Sequence, residues 1–287
     1  MLGIGLAIFS AILSAVAVVL VARNTKKASV LNISIIVTVT SLAVILPPAV
    51  VLTDFSAVPI EAVLLFALSG LLAPGLTRLF YYSGLKKLGS SVNSSVFSFY
   101  PIYGAILAAL FLNEVLTVGN WLGIGTIISG VIIIQMGCRG NTCANSSLKE
   151  WSFPIMGGII FAVSAVLIKA ALNLFNAPFL GVTITHIFAL IPYLTFLFLN
   201  KKSRTEFSLR QNLGLFWLAG IGLALSWIFA FLALSFESVA VVVPLRSTES
   251  LFIAFFALFF LKQQEPLSLK LISGVLIVVL GVILVIL

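Results

Sequence analysis

Arg78, Lys169, Arg246 and Glu249 each stand inside a long apolar run of this 287-residue chain. An ionised side chain at the centre of a bilayer costs roughly 3 kcal/mol on insertion scales. Four of them facing lipid would cost of order 12 kcal/mol, comparable with the whole stability of a domain, about 5–15 kcal/mol. They are therefore expected to face a wet internal cavity or one another. Arg246 and Glu249 lie three positions apart, which places both on one face of a continuous helix, about one turn apart. Two readings follow. The pair neutralises itself and packs the protein together, or Arg246 meets a carboxylate or phosphate of a cargo molecule while Glu249 meets an amine or carries a coupling proton. Pro244, just upstream, denies its helix one backbone hydrogen bond and leaves a carbonyl free. Lys169 stands one turn from an expected helix end, within snorkelling reach of water, and Arg78 is intermediate in depth.

A second unusual segment carries Asn93, Ser94, Ser95, Ser98, Tyr100 and Tyr103, a polar content that lipid disfavours. The serines equally suit close helix packing with interhelical hydrogen bonds; Asn93 and Tyr100 are the stronger cavity candidates. Tyr81, Tyr82, Phe97 and Trp227 offer flat walls for a small organic cargo, or serve as ordinary packing. His186 is the only histidine. That excludes a metal site built from several histidines and leaves an interhelical hydrogen bond or a proton relay. Cys138 and Cys143 have no second pair, which argues against zinc. There is no phosphate-binding glycine loop and no H-E-x-x-H. The sole aspartate, Asp54, falls in a connector, so two-carboxylate membrane enzymes lack their chemistry. Neither enzymatic activity nor a cofactor or metal is expected.

The elements that must position these side chains are membrane helices. The chain is 61% hydrophobic and 8% charged, with a mean hydropathy of +1.26, against about 25% charged residues in a soluble domain. A span needs about 20 apolar residues. The apolar runs place spans at residues 3–22, 30–52, 62–83, 91–112, 117–137, 153–173, 178–199, 213–235, 239–261 and 269–287. The formal charge of +8 is a matter of loop distribution, not a nucleic-acid footprint. Thirteen of the sixteen Lys and Arg residues fall in connectors 1–2, 3–4, 5–6, 7–8 and 9–10, and none in the other four. Those four carry Asp54, Glu61, Glu114 and Glu237 instead. Positive loops stay in the cytoplasm, so both termini are expected outside it, in a multi-pass protein of the cell membrane. With connector 5–6 inside, its two thiols stay reduced; in the opposite orientation they could form a disulfide. Asn145-Ser146-Ser147 in the same connector matches a glycosylation sequon, a pattern too common to carry an argument.

The chain repeats itself. A shift of 151 pairs Phe80–Ile134 with Phe231–Val285, with eleven identities in 55 positions. Glu114 falls on Glu265, Gly123 on Gly274 and Gly130 on Gly281, while Gly5 and Phe9 match Gly157 and Phe161 at a shift of 152. A duplicated unit of five spans must enter the bilayer from opposite sides, which creates a two-fold pseudo-axis in the membrane plane with a cargo site near the midplane. The expected fold is an all-α integral membrane protein of ten transmembrane helices in two inverted five-helix repeats. Residues 1–137 form the first repeat, 138–152 a connector and 153–287 the second.

Ser98-Phe99-Tyr100-Pro101 through Leu112-Asn113-Glu114 resembles the drug/metabolite transporter superfamily, in particular its ten-helix EamA-like exporters, with a proline thirteen residues before an acidic helix end. The second copy ends in Lys262-Gln263-Gln264-Glu265 but has Phe252 in place of the proline, and both copies lack the glycine before the glutamate. Gly157–Ala171, with Lys169 near its end, is similar to the first helix of each family repeat. The resemblance spans nearly the whole chain. It implies export of an amino acid, a nucleobase-like compound or a related metabolite, and termini in the cytoplasm. The loop charges of this chain point the other way, and they act on it directly.

The expected activity is therefore secondary transport of a small polar or amphipathic metabolite by alternating access. The expected partners are that small molecule, a coupling proton and the lipid bilayer, with no nucleic acid. A passive channel or a non-transporting scaffold are the alternatives. The expected cargo residues are Arg246, Glu249, Asn93 and Tyr100, followed by Arg78, Tyr81, Lys169, His186 and Trp227.

Overall fold

The computed structural model describes residues 1–24, 28–54, 58–137, 148–199, 213–260 and 269–286. The helices are α1 (Leu2–Asn24), α2 (Val30–Leu52), α3 (Ile60–Gly70), α4 (Thr77–Phe97), α5 (Tyr100–Leu112), α6 (Val118–Gly137), α7 (Leu148–Leu174), α8 (Pro178–Leu199), α9 (Leu213–Phe236), α10 (Val239–Ser247), α11 (Glu249–Phe260) and α12 (Leu269–Ile286). Lys26, Lys27, Cys138, Arg139, Cys143, Asn145, Lys201, Lys202, Arg204, Arg210, Lys262 and Glu265 lie outside the described residues. Among the described residues, seven apolar helices are long enough to cross a bilayer, and three shorter apolar ones complete the ten spans. The protein is an all-α multi-pass membrane protein in two inverted five-helix repeats.

Three spans are not continuous helices. Span 3 runs through α3, a wide π turn at Leu71–Leu76 and the first part of α4. At Pro74 the chain has no amide hydrogen to donate, and Ala73 adopts an extended conformation (φ −141°, ψ 125°). Span 3 is thus longer than the expected 62–83. It reaches Gly89, where φ of +81° turns the chain at once into span 4, a conformation that glycine adopts without steric cost. Spans 4 and 9 break at mid-depth, at Ser98-Phe99 and at Thr248. Pro101 and Pro244 each remove one backbone donor near the break. Hydroxyls add donors to carbonyls beside the breaks. Ser98 Oγ donates to Ser94 O at 2.7 Å, Ser247 Oγ to Pro244 O at 2.7 Å, and Thr248 Oγ1 to Leu245 O at 2.6 Å. Such satisfaction is what tolerates irregular backbone inside a membrane. The expected continuous helix over 239–261 is therefore two helices. Arg246 ends one and Glu249 begins the next.

Packing follows the pseudo-axis. Span 5 lies on span 10 and span 2 on span 7; span 1 packs on spans 8 and 9 as span 6 packs on spans 3 and 4. The glycines matched by sequence sit where α6 and α12 cross. A Cβ on Gly123 would lie 2.8 Å from Gly281 O, and one on Gly130 2.8 Å from Gly274 O. Residue numbers rise along one helix as they fall along the other, so the two run antiparallel, as inverted repeats require. Asn120 Nδ2 donates to Val285 O at 3.1 Å across the same contact. Where the broken spans meet, Ser98 Oγ and Ser250 Oγ hydrogen-bond each other, joining the two repeats.

Candidate functional site

At mid-depth the breaks in spans 3, 4 and 9 face one cavity of about 70 Å³. Its wall holds Ser14 and Val18 from span 1; Ala73, Pro74, Thr77, Arg78, Tyr81 and Tyr82 from span 3; Phe97 and Tyr100 from span 4; Phe161 from span 6; Leu223 and Trp227 from span 8; and Arg246 and Glu249 from span 9. Two larger hollows, of about 580 and 480 Å³, are lined almost wholly by residues such as Leu79, Phe80, Phe153 and Phe196, or Leu107, Phe111, Val163 and Leu167. Those are apolar grooves between helices, without the charged groups that a polar cargo needs.

Arg246 is held between two rings. Its guanidinium carbon lies 5.5 Å from the centroid of Phe161 and 5.4 Å from that of Trp227, a geometry that stabilises a cation while leaving its edge free to donate. The aromatic support extends outward. Phe161 packs edge-on against Tyr100 (4.8 Å) and Phe97 (5.7 Å), and Phe97 against Tyr81 (4.9 Å). Arg78 Nη1 donates to Thr38 Oγ1 of span 2. The Ser14 hydroxyl faces the Glu249 carboxylate. Among the described residues, neither arginine has a carboxylate within salt-bridge distance. Arg246 Nε and the Tyr82 hydroxyl are buried without a protein hydrogen-bond partner among those residues. Buried polar groups ordinarily find one; Asn93 Oδ1 and His186 Nε2, off the wall, likewise have none among those residues.

Six of the nine expected residues converge on this wall: Arg246, Glu249, Tyr100, Arg78, Tyr81 and Trp227. Three do not. Asn93 turns back along its own hairpin, where Nδ2 donates to Tyr81 O at 3.1 Å and the side chain fills the space over Gly84. Lys169 Nζ donates to Leu234 O and Glu237 O, both at 2.8 Å, at the end of α9. His186 pairs through Nδ1 with Val182 O at 2.9 Å and stands behind the wall, edge-on to Trp227 at 5.7 Å. In serine-rich span 4, Ser98 takes the interhelical alternative, bonded to Ser94 O and Ser250.

Sequence reasoning missed Ser14, Thr77 and Phe161. A serine in span 1 and a threonine beside Arg78 carry no periodic signal that separates cavity from interface. Phe161 was paired by the repeat with Phe9, yet the two environments differ. Phe9 is 47% exposed and packs on Phe229 at 5.0 Å, whereas Phe161 is 9% exposed and supports Arg246.

The model of the EamA-like transporter family matches residues 1–136 and, a second time, 151–287. Twenty-nine chains of solved structures are similar to this one. One of them, titled "Crystal structure of protein", superposes with a TM-score of 0.77 at 15% identity, over 99% of this chain and 98% of its own; at that identity the likeness shows the fold. No curated protein matches in sequence. With both halves matched by the same family, the chain belongs to the EamA-like transporters, membrane transporters of the drug/metabolite type.

Proposed function

We propose that the protein is a secondary transporter that moves a small zwitterionic or anionic metabolite, an amino acid or a related compound, out of the cytoplasm by alternating access. Its termini lie outside the cytoplasm and its basic connectors inside. The observation that carries this reading is that Arg246 and Glu249 line one mid-membrane cavity without pairing with each other. A structural ion pair would have closed on itself, since leaving buried opposite charges apart forfeits their attraction. Arg246 takes the carboxylate or phosphate of the cargo through its guanidinium edge, the geometry in which Arg excels. Glu249 takes an amine or carries the coupling proton. Tyr100, Tyr81 and Trp227 wall the apolar part of the cargo, and Arg78 adds a second positive centre.

A cavity of about 70 Å³ has room for a few waters, so a larger cargo enters only when the helices part. Apolar side chains pack on either side of the space along the spans, Val18, Leu85, Phe216 and Ile253 towards the basic connectors and Phe231, Leu234 and Val242 towards the acidic ones. So small a space, walled largely by apolar side chains, supports a carrier over a channel with a continuous polar path. Purified protein screened against metabolites by thermal shift will identify the cargo as the compound that raises the melting temperature. With that compound, Arg246→Ala is expected to lose binding far more than stability, and Glu249→Gln to lose pH-gradient-driven flux in sealed vesicles. Equal losses of binding and stability in Arg246→Ala return the pair to a structural role, and unchanged coupling in Glu249→Gln removes the proton from that side chain.

A further inference from the structure

Two charged side chains close to the membrane boundary are bound to backbone, away from the cavity. Glu114, at the end of span 4, accepts the Val239 N–H on Oε1 at 2.9 Å and the Ala240 N–H on Oε2 at 3.0 Å. One carboxylate of the first repeat thus closes the first turn of α10 in the second, at the end where a helix prefers negative charge. Lys169, on span 6, places its ammonium on Leu234 O and Glu237 O at the opposite pole of α9, where a helix prefers positive charge. The N-terminal ammonium adds an exposed contact to Glu237 at 3.7 Å.

All of these lie on the acidic-connector face. They fasten the corner between spans 8 and 9, the two spans that carry Trp227 and Arg246. Between that corner and Arg246 only about 10 Å³ remains, lined mostly by apolar side chains such as Ile168, Phe231, Leu234, Val242 and Val243, with Ser164 and Arg246 at its edge, at the lower limit of what one water occupies. Spans 4 and 6 therefore hold the span 8–9 corner down onto a tightly packed, mostly apolar plug.

We propose that Glu114 and Lys169 are the latch of the acidic face: they keep the cavity shut on that side, and withdrawal of spans 4 and 6 from the span 8–9 corner opens it. Neither side chain touches cargo; both are positioning residues that set which face is open. The inference rests on the carrier reading above, and it deepens that reading by naming the charges that exchange partners in each cycle. Charge-assisted hydrogen bonds are about twice as strong as neutral ones, so losing one set shifts the balance between closed and open forms measurably.

The test uses the full chain with Cys138 and Cys143 replaced by serine and a single probe, Thr77→Cys, in the cavity wall. Sulfonatoethyl methanethiosulfonate, which does not cross the bilayer, is applied to the acidic-connector face in proteoliposomes. Glu114→Gln and Lys169→Met are each expected to raise the labelling rate about tenfold from that face, and Lys169→Arg to stay near the parent. Glu114→Gln keeps the shape of the side chain, so it carries the test where Lys169→Met does not yield monodisperse protein. Labelling of Thr77→Cys at the parent rate in a folded Glu114→Gln variant overturns the latch and leaves the carrier reading standing. A Thr77→Cys that reacts from neither face in any variant overturns the carrier reading itself.

Discussion

Spans 3 and 8 occupy equivalent places in the two repeats, yet only span 3 is broken. In span 8, α9 runs without interruption from Leu213 to Phe236, and Leu225 stands where span 3 has Pro74. The carbonyls released in span 3 are taken up from outside. Tyr193 OH donates to Pro74 O at 2.6 Å, and Ser164 Oγ to Ser69 O at 3.0 Å and Ala73 O at 3.3 Å. Tyr193 has no counterpart either, since Ser41 and Leu42 stand at shifts of 152 and 151. One turn beyond the break comes Arg78, whose counterpart at a shift of 151 is Phe229. In the same way Arg246 and Glu249 of span 9 answer to Ser95 and Ser98 of span 4. Every charge on the cavity wall stands where the repeats disagree. The places where they agree, Gly123 with Gly274 and Gly130 with Gly281, hold helices together. A symmetric scaffold thus supports an asymmetric interior: backbone contact on the axis constrains both copies alike, while a cargo with a charged end and an apolar end needs unlike walls.

The comparison can be broken most sharply at the charges. Arg246→Ser and Glu249→Ser give span 9 the residues of span 4, and each is expected to weaken cargo binding by about 100-fold, from the roughly 2–5 kcal/mol lost when a buried charge loses its partner. Titration calorimetry with the compound found by thermal shift measures it; a cooperative melt within a few degrees of the parent shows that the scaffold survives. Binding that persists in both variants would show that symmetry breaking at span 9 has nothing to do with cargo.

A smaller effect is expected on the axis. A methyl group at Gly130 would stand 2.7 Å from Val278 Cγ2, and one at its repeat equivalent Gly281 2.7 Å from Ile127 Cγ1. Gly130→Ala and Gly281→Ala should each cost about 1–3 kcal/mol of overpacking, and nearly the same amount, as read from detergent melts. A large inequality would show that the crossing is not symmetric in energy. Smallest is the break in span 3. Tyr193→Phe removes the hydroxyl donor to Pro74 O, which keeps the Thr77 N–H, and should destabilise by about 1–1.5 kcal/mol, while Ser10→Ala, which removes the donor to Ser226 O at 2.8 Å on the unbroken partner span, should cost about 1 kcal/mol or less. A costlier Ser10→Ala would place the weaker seam in the second repeat.

Much of the fold was legible in the chain because bilayer thickness imposes a length on every apolar run, and loop charge and duplication are linear properties. The cost of burying charge pointed to Arg78, Arg246 and Glu249 for the same reason. Lys169 shows the limit of that argument. Its burial has a physical cause, the carbonyls at the end of α9, but which backbone would meet it depends on helices some 65 residues apart in sequence. Asn93 shows another. A polar residue in an apolar span signals a partner without saying whether the partner is cargo or, as here, the carbonyl of Tyr81.

Amino-acid order alone determined how many times the backbone crosses the bilayer, that the halves are inverted copies, and which side chains were too costly to leave in lipid, since each follows from transfer free energies summed along a line. Tertiary structure decided that Arg246 and Glu249 stand apart at a helix break, that Phe161 and Trp227 flank the guanidinium, and that Glu114 and Lys169 serve helix ends. Those outcomes depend on distances between segments remote in sequence, and only packing sets such distances.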